Sequence, residues 1–255
     1  KGSVGIFKSP FYEYLRNGGA GAEATAQGGI VSNCVFRNMS GGSFYSMAPL
    51  QLSGANALAT HCVFTNNTPK PPEKQACAGG AILLAGARIE NCLIADNRQD
   101  ESSAGSAPGV YANPGLVVNC TVVRNVSGKV AGVHMANTSS AGARRVVNTV
   151  MAGNVSRNGS GNIEQAQKAY YDHCVVDETI VNAPGLVKAT WEEMFDGSKP
   201  RRPYMPRRKG PLYNTGDTSA VQDATDLLGY RRRAGKAVDI GAFEAPPLGF
   251  SILVR

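Results

Sequence analysis

Tyr111 and His134 stand at matching places in two similar short runs, Pro108-Gly-Val-Tyr and Ala131-Gly-Val-His-Met. A tyrosine and a histidine can serve as base and acid in an elimination, and their flat rings can stack on sugars. Gln51 holds the same place in Ala48-Pro-Leu-Gln-Leu, and Leu83 holds it in Gly79-Gly-Ala-Ile-Leu-Leu. If Leu50, Ile82, Val110 and Val133 face inward, strand alternation sends Gln51, Leu83, Tyr111 and His134 outward in one column. Ser53 and Asn113 then project from the same face two places on. Tyr111 and His134 would lie ~4.8 Å apart on neighbouring coils. The plainer reading is a decorated outer face with no chemistry. Gln51, Tyr111, Asn113 and His134 are the candidate ligand contacts, and Tyr111 and His134 the catalytic candidates if a reaction exists.

Acids are sparse. A glycosidase needs two carboxyl groups facing one sugar. The coils offer Glu90, Asp96, Asp100, Glu101, Glu164, Asp172 and Asp177. Glu90 and Asp172 occupy the same place in the repeat but three coils apart, too far for a shared site. Asp96, Asp100 and Glu101 gather at one bend, where oxygen ligands could hold Ca²⁺; a solvated turn is the plainer alternative. No other cofactor is expected. The cysteines have no CxxC spacing, which argues against zinc. Five of the six, Cys34, Cys62, Cys92, Cys120 and Cys174, recur once per repeat and read as buried free thiols; Cys77 lies outside the series.

Charge is the second signal. The net charge is +7, and ten basic residues fall between Lys199 and Lys236, opposed there only by Asp217, Asp223 and Asp226. A clustered basic surface attracts polyanions. Arg231, Arg232 and Arg233 are the candidate ligand contacts within it. Few aromatic residues accompany them and no DNA or RNA motif appears, so a specific nucleic-acid partner is not expected. An acidic polysaccharide, a cell-surface glycan or another surface protein fits better. The alternative is a solvated loop whose arginines pair locally.

A repeat must position all of these residues. Asn33-Cys34, Asn91-Cys92 and Asn119-Cys120 are copies of one dipeptide, and His61-Cys62, Asn148-Thr149 and His173-Cys174 complete the series. The second residues step by 28, 30, 28, 29 and 25 positions. A near-constant step means stacked units rather than one globular core. Each unit has three short apolar runs and no amphipathic helix, which is one turn of a solenoid. Asn, and to a lesser degree His, tolerates the left-handed backbone of a tight bend. Two residues after each pair's second member stands Phe36, Phe64, Ile94, Val122, Met151 or Val176, predicted to stack inward. Three residues further come Asn67, Asn97, Asn125 and Asn154, whose amides could pass hydrogen bonds from coil to coil. The first coil has Asn38 one place earlier. The fold class predicted is all-β: a right-handed single-stranded parallel β-helix of about six coils over residues 1–182. A short helix and C-terminal cap follow over 183–255. Thr190-Trp-Glu-Glu193 is a capping-box pattern, and the apolar residues after it are expected to cover the open end of the last coil.

The Gly79-Gly80-Ala81-Ile82 motif and the spacing Phe64 to Asn67, Ile94 to Asn97 and Val122 to Asn125 resemble bacterial polymorphic outer-membrane proteins. Gly210-Pro-Leu-Tyr-Asn-Thr-Gly-Asp217, Asp226-Leu-Leu-Gly-Tyr-Arg231 and Val238-Asp-Ile-Gly-Ala-Phe-Glu244 resemble the closing segment of bacterial choice-of-anchor Q β-helix proteins. This likeness departs at Tyr213-Asn214, and residues 245–255 show no intact anchor. The resemblance implies a secreted or cell-surface protein. The chain starts at Lys1 with its first run, Gly2 to Lys8, beginning at once, and is expected to be trimmed from a longer precursor. No apolar run reaches the length of a membrane span. The expected function is a non-catalytic module for adhesion, glycan contact or surface assembly. The alternative is a polysaccharide lyase or glycosidase acting on an acidic polysaccharide. The modest insertions near residues 9–27, 68–76 and 98–107 favour the former.

Overall fold

Three parallel ladders, ending at Lys188, build the solenoid and meet at bends set by left-handed residues. The structure is a computed structural model, and it describes residues 7–14, 22–25, 29–39, 48–68, 81–99, 109–136, 142–157, 161–180, 182–198, 202–233 and 235–246. The first ladder stacks Ala22–Thr25, Leu50–Ser53, Ile82–Ala85, Val110–Ala112 and Val133–Met135. The second stacks Leu58–Thr60, Ala87–Glu90, Gly115–Val118, Arg144–Val147 and Tyr171–Asp172. The third stacks Val63–Thr65, Leu93–Ala95, Thr121–Val123, Val150–Ala152, Cys174–Val176 and Leu186–Lys188. The eight-residue strand Ile30–Arg37 serves the second and third ladders at once, and the strand Phe7–Tyr14 pairs with it in parallel on its other edge.

Among the described residues four turns carry three separate strands each, against the expected count of about six coils. The first turn fuses two of its strands into Ile30–Arg37. The last replaces one strand with the 3-10 helix Gln165–Tyr170. The third ladder also gains a rung, Leu186–Lys188, beyond the predicted coil limit at residue 182.

The bends follow the dipeptide repeat. Asn33, His61, Asn91, Asn119, Asn148 and His173 all take φ between 47° and 55°. The residue after each is buried: Cys34, Cys62, Cys92, Cys120, Thr149 and Cys174. These five cysteines are free thiols whose Sγ atoms donate to backbone carbonyls, as Cys92 does to Glu90 at 3.1 Å. Burial pushes the Cys120 and Cys174 thiols up to about 12, so they act as small apolar fillers. Phe36 and Phe64 stack at 4.7 Å with rings 2° from parallel, and Ile94, Val122, Met151 and Val176 continue the column.

A second bend holds the interior asparagine ladder. Asn67 donates from Nδ2 to Asn97 Oδ1 at 2.8 Å, Asn97 to Asn125 at 2.9 Å, and Asn125 to Asn154 at 3.0 Å. Each Nδ2 also reaches a carbonyl one turn back, so a fully buried polar column is satisfied internally. The left-handed position here is the residue before the ladder asparagine: Asn66, Asp96 and Arg124. Asn38 shares that conformation at φ 54°, so its early place is the bend position, and Met39 fills the ladder position.

The C-terminal segment departs from expectation. The helix Trp191–Met194 has its capping box, with Glu193 N donating to Thr190 Oγ1 and Thr190 N donating to Glu193 Oε2. Its apolar residues do not close the end of the solenoid. Met194, Phe195, Tyr204, Leu212, Ile240 and Phe243 form one apolar cluster with Ala95, Val123, Val150, Ala152 and Val175, the outward residues of the third ladder. That outward face is apolar, so the segment gains more by lying along it as a strap than by covering one coil. Further contacts extend along the bend of the dipeptide column. Asn148 exchanges hydrogen bonds with Asp217, Asn91 Nδ2 donates to Asp223, and His61 Nε2 lies 3.2 Å from the Thr225 carbonyl.

Candidate functional site

The first ladder presents the predicted column. Gln51, Leu83, Tyr111 and His134 lie in register across four neighbouring strands. Their inward neighbours Leu50, Ile82, Val110 and Val133 are wholly buried, which turns the column outward. Tyr111 and His134 stack with ring centroids 5.1 Å apart and planes 19° from parallel. Gln51, Leu83 and Tyr111 are half-buried, but His134 is only 7% exposed. Ser53 lies in register with Ala85 on the same face. Asn113 falls just past its strand, half-buried, and its backbone N–H donates to Leu84 O at 2.8 Å.

Around His134 one carboxylate approaches. Glu164 Oε2 lies 3.3 Å from Nδ1, a contact short of hydrogen-bond geometry, and Lys129 Nζ stands 3.7 Å from Glu164 Oε1. Desolvation holds the His134 imidazole below its ordinary range, against the opposite pull of Glu164, so the ring is neutral near pH 7. Burial likewise raises the Tyr111 phenol. The result is a flat, uncharged, partly apolar platform with hydrogen-bonding edges. It does not bring two facing carboxyl groups together among the described residues.

The other candidates separate. Glu90 and Asp172 do stand in one register column three rungs apart, through Val118 and Val147. Glu90 is buried and held by Arg88 at 2.7 Å. Asp96 is not a free calcium ligand: its Oδ2 takes the Arg124 guanidinium at 2.8 Å and lies 3.5 Å from the Tyr204 hydroxyl. Asp100 and Glu101 lie outside the described residues, as does Cys77. One group among the described residues could bring three ligand atoms together, Asp172, His173 and Asp217. Arg145 and His173 already occupy the Asp172 carboxylate, and Ser219 occupies that of Asp217. Those partners hold both carboxyls below the usual range, Arg145 chiefly for Asp172 and Ser219 chiefly for Asp217.

The basic cluster divides sharply by burial. Arg232 is fully buried and cannot meet a ligand, a correction to its place among the surface contacts. Its Nε and Nη2 converge on Asn91 Oδ1, Nη2 also reaches Gly241 O at 2.9 Å, and Nη1 donates to Glu244 Oε1 at 2.9 Å. Asp226 and Asp239 are buried beside it, accepting backbone N–H groups from Glu244 and Ala245 at 2.7 Å. Three of the strap's carboxyls are therefore internal. Arg202, Arg207, Lys209, Arg231, Arg233 and Lys236 remain exposed. Arg202 lies over the Tyr230 ring at 5.8 Å and Arg208 near Tyr213 at 5.9 Å. Sequence reasoning missed this sorting. The runs ending in Arg231-Arg-Arg and Glu244 held the only signal, the pairing of one arginine with motif acids.

No helix among the described residues is long and apolar enough to cross a membrane. No curated protein matches the chain. Among solved structures the chain is similar to the crystal structure of pectate lyase Pel9A. That match has 17% identity and a TM-score of 0.36, over 86% of this chain and 68% of that one. The family model described as the right handed beta helix region matches residues 11–174. That is well over half of the sequence, and the chain belongs to the right handed beta helix family.

Proposed function

We propose that the protein is a non-catalytic β-helix module that contacts a glycan on its first ladder, from a secreted or bacterial cell-surface position. The observation that carries this reading is the stacked Tyr111–His134 pair in register with Gln51. A flat ring pair continued by Leu83 and, two rungs from Tyr111, by the Gln51 amide is suited to the apolar faces and hydroxyls of a sugar chain. The exposed arginines and lysines of the strap favour an acidic chain over a neutral one. The absence of a facing carboxyl pair among the described residues weighs against glycosidase chemistry. The surface position rests on the resemblance to bacterial surface β-helix proteins.

A lyase is the second reading. It is favoured by the neutral imidazole of His134, a competent base near pH 7, with the Tyr111 ring beside it. One experiment separates them. The purified chain is incubated with acidic and neutral polysaccharides, and both retention and new unsaturated or reducing ends are followed. The module reading expects retention without new ends, lowered about three- to tenfold by Tyr111→Ala, the scale of a lost stacking contact of ~1 kcal/mol. New ends that vanish in His134→Ala would replace it with the lyase. Neither signal would leave a protein-contacting surface component.

A further inference from the structure

Where the strap leaves the last rung of the third ladder, a cleft of about 430 Å³ is lined by Lys188, Glu193, Arg207, Arg208, Lys209 and Gly210. Four cations share this space with one carboxylate. That carboxylate, Glu193, is turned to the Thr190 backbone, where Oε2 accepts an N–H at 2.7 Å. Among the described residues, Arg207, Arg208 and Lys209 form no ion pair, and Lys188 meets only the Thr179 hydroxyl. Gathering like charges is unfavourable, so something must hold them together.

The backbone does. Arg207 N donates to Met194 O at 2.8 Å, and Gly210 N closes the turn onto Arg207 O at 2.9 Å. Gly210 packs so tightly on the Glu193 carbonyl that a side chain there would collide with it. Lys209 takes φ 61°, a conformation that disfavours lysine by about 1 kcal/mol. Lys188 arrives independently, on the last rung of the third ladder. The turn thus presents three consecutive basic side chains against a fourth, with no carboxylate paired to any of them among the described residues.

We propose that this cleft is an oxyanion site that takes the sulfate ester or uronate carboxylate of an acidic saccharide chain. That the anion belongs to a saccharide rests on the reading above; the charge geometry does not. Guanidinium forks bind such groups bidentately, and two lysines neutralise the remaining charge.

Binding is measured by titration calorimetry between 50 and 200 mM salt, with a heparin-derived hexasaccharide, a polygalacturonate hexasaccharide and neutral cellohexaose. The double variant Arg207→Gln/Lys209→Gln should weaken the better acidic hexasaccharide at least tenfold and reduce the salt slope by about two. Lys188→Gln, on a separate element, should cost at least threefold and guards against misfolding of the turn. Arg231→Gln/Arg233→Gln, which removes the same charge elsewhere on the strap, should cost less than threefold. The stronger of the two acidic ligands identifies sulfate or carboxylate as the preferred group. Equal losses in both double variants would overturn the site in favour of diffuse attraction, as would no loss or no acidic binding. Cellohexaose binding sensitive to Tyr111→Ala would uphold the first-ladder reading even then, so the two fail separately.

Discussion

Arg232 shows how one side chain can change meaning between sequence and structure. In the chain it is one of three consecutive arginines; in the fold it is a wholly buried connector between the strap and the Asn91 bend. A buried guanidinium is tolerated only when its donors are met, and here Asn91, Gly241 and Glu244 meet them. Arg232→Met removes the donors and leaves Asn91 Oδ1 and the Gly241 carbonyl unpaired. We expect a loss of about 3 kcal/mol in denaturant melts, against less than about 0.5 kcal/mol for exposed Arg231→Met. Matching effects at the two positions would refute the connector role. The bends were legible at this scale, because αL backbone selects Asn and His by local sterics that need no tertiary context.

At the scale of elements, the interior asparagine ladder and the strap make different demands. Asn97 sits mid-ladder, its Oδ1 accepting from Asn67 and its Nδ2 donating to Phe64 O and Asn125. Asn97→Ala should cost about 2–4 kcal/mol, since several buried partners lose their mate at once, and a thermal or urea melt reads it. The strap carries a pH dependence. Burial pushes the Glu244 carboxyl up to about 8, with Arg232 opposing. Between the ordinary glutamate range and pH 8 the folded chain keeps a proton that the unfolded chain has released. Its contribution is therefore full below about pH 4.3 and lost as pH rises through about 8. The urea midpoint should fall between pH 6 and pH 9 in the wild type, and Glu244→Gln should flatten that fall; parallel curves would count against it. The capping box was readable because its partners are three residues apart.

For the whole molecule, the strap hides an apolar flank that the solenoid would otherwise expose. Ala95, Val123 and Ala152 face outward on the third ladder and are covered by Phe195, Tyr204 and Phe243. Truncation after residue 189 should therefore yield a chain that self-associates or aggregates, detected by light scattering at matched concentration. A monodisperse monomer of that length would show that the flank needs no cover. Three of the strap's acids, Asp226, Asp239 and Glu244, turn inward while six of its arginines and lysines stay exposed, which suits the proposed contact with an acidic chain.

Periodicity belongs to the sequence alone: the step of the dipeptide, the inward column from Phe36 to Val176, the outward column from Gln51 to His134 and the interior asparagines follow from local backbone preference repeated turn after turn. Nearest-neighbour stacking makes such features predictable, since each coil contacts only the next. Tertiary structure decided where the strap lies, which of its charges are buried, and that His134 is shielded while Tyr111 is not. Those outcomes depend on contacts such as Arg232 to Asn91, separated by 141 residues, and no local pattern encodes a partner so far away.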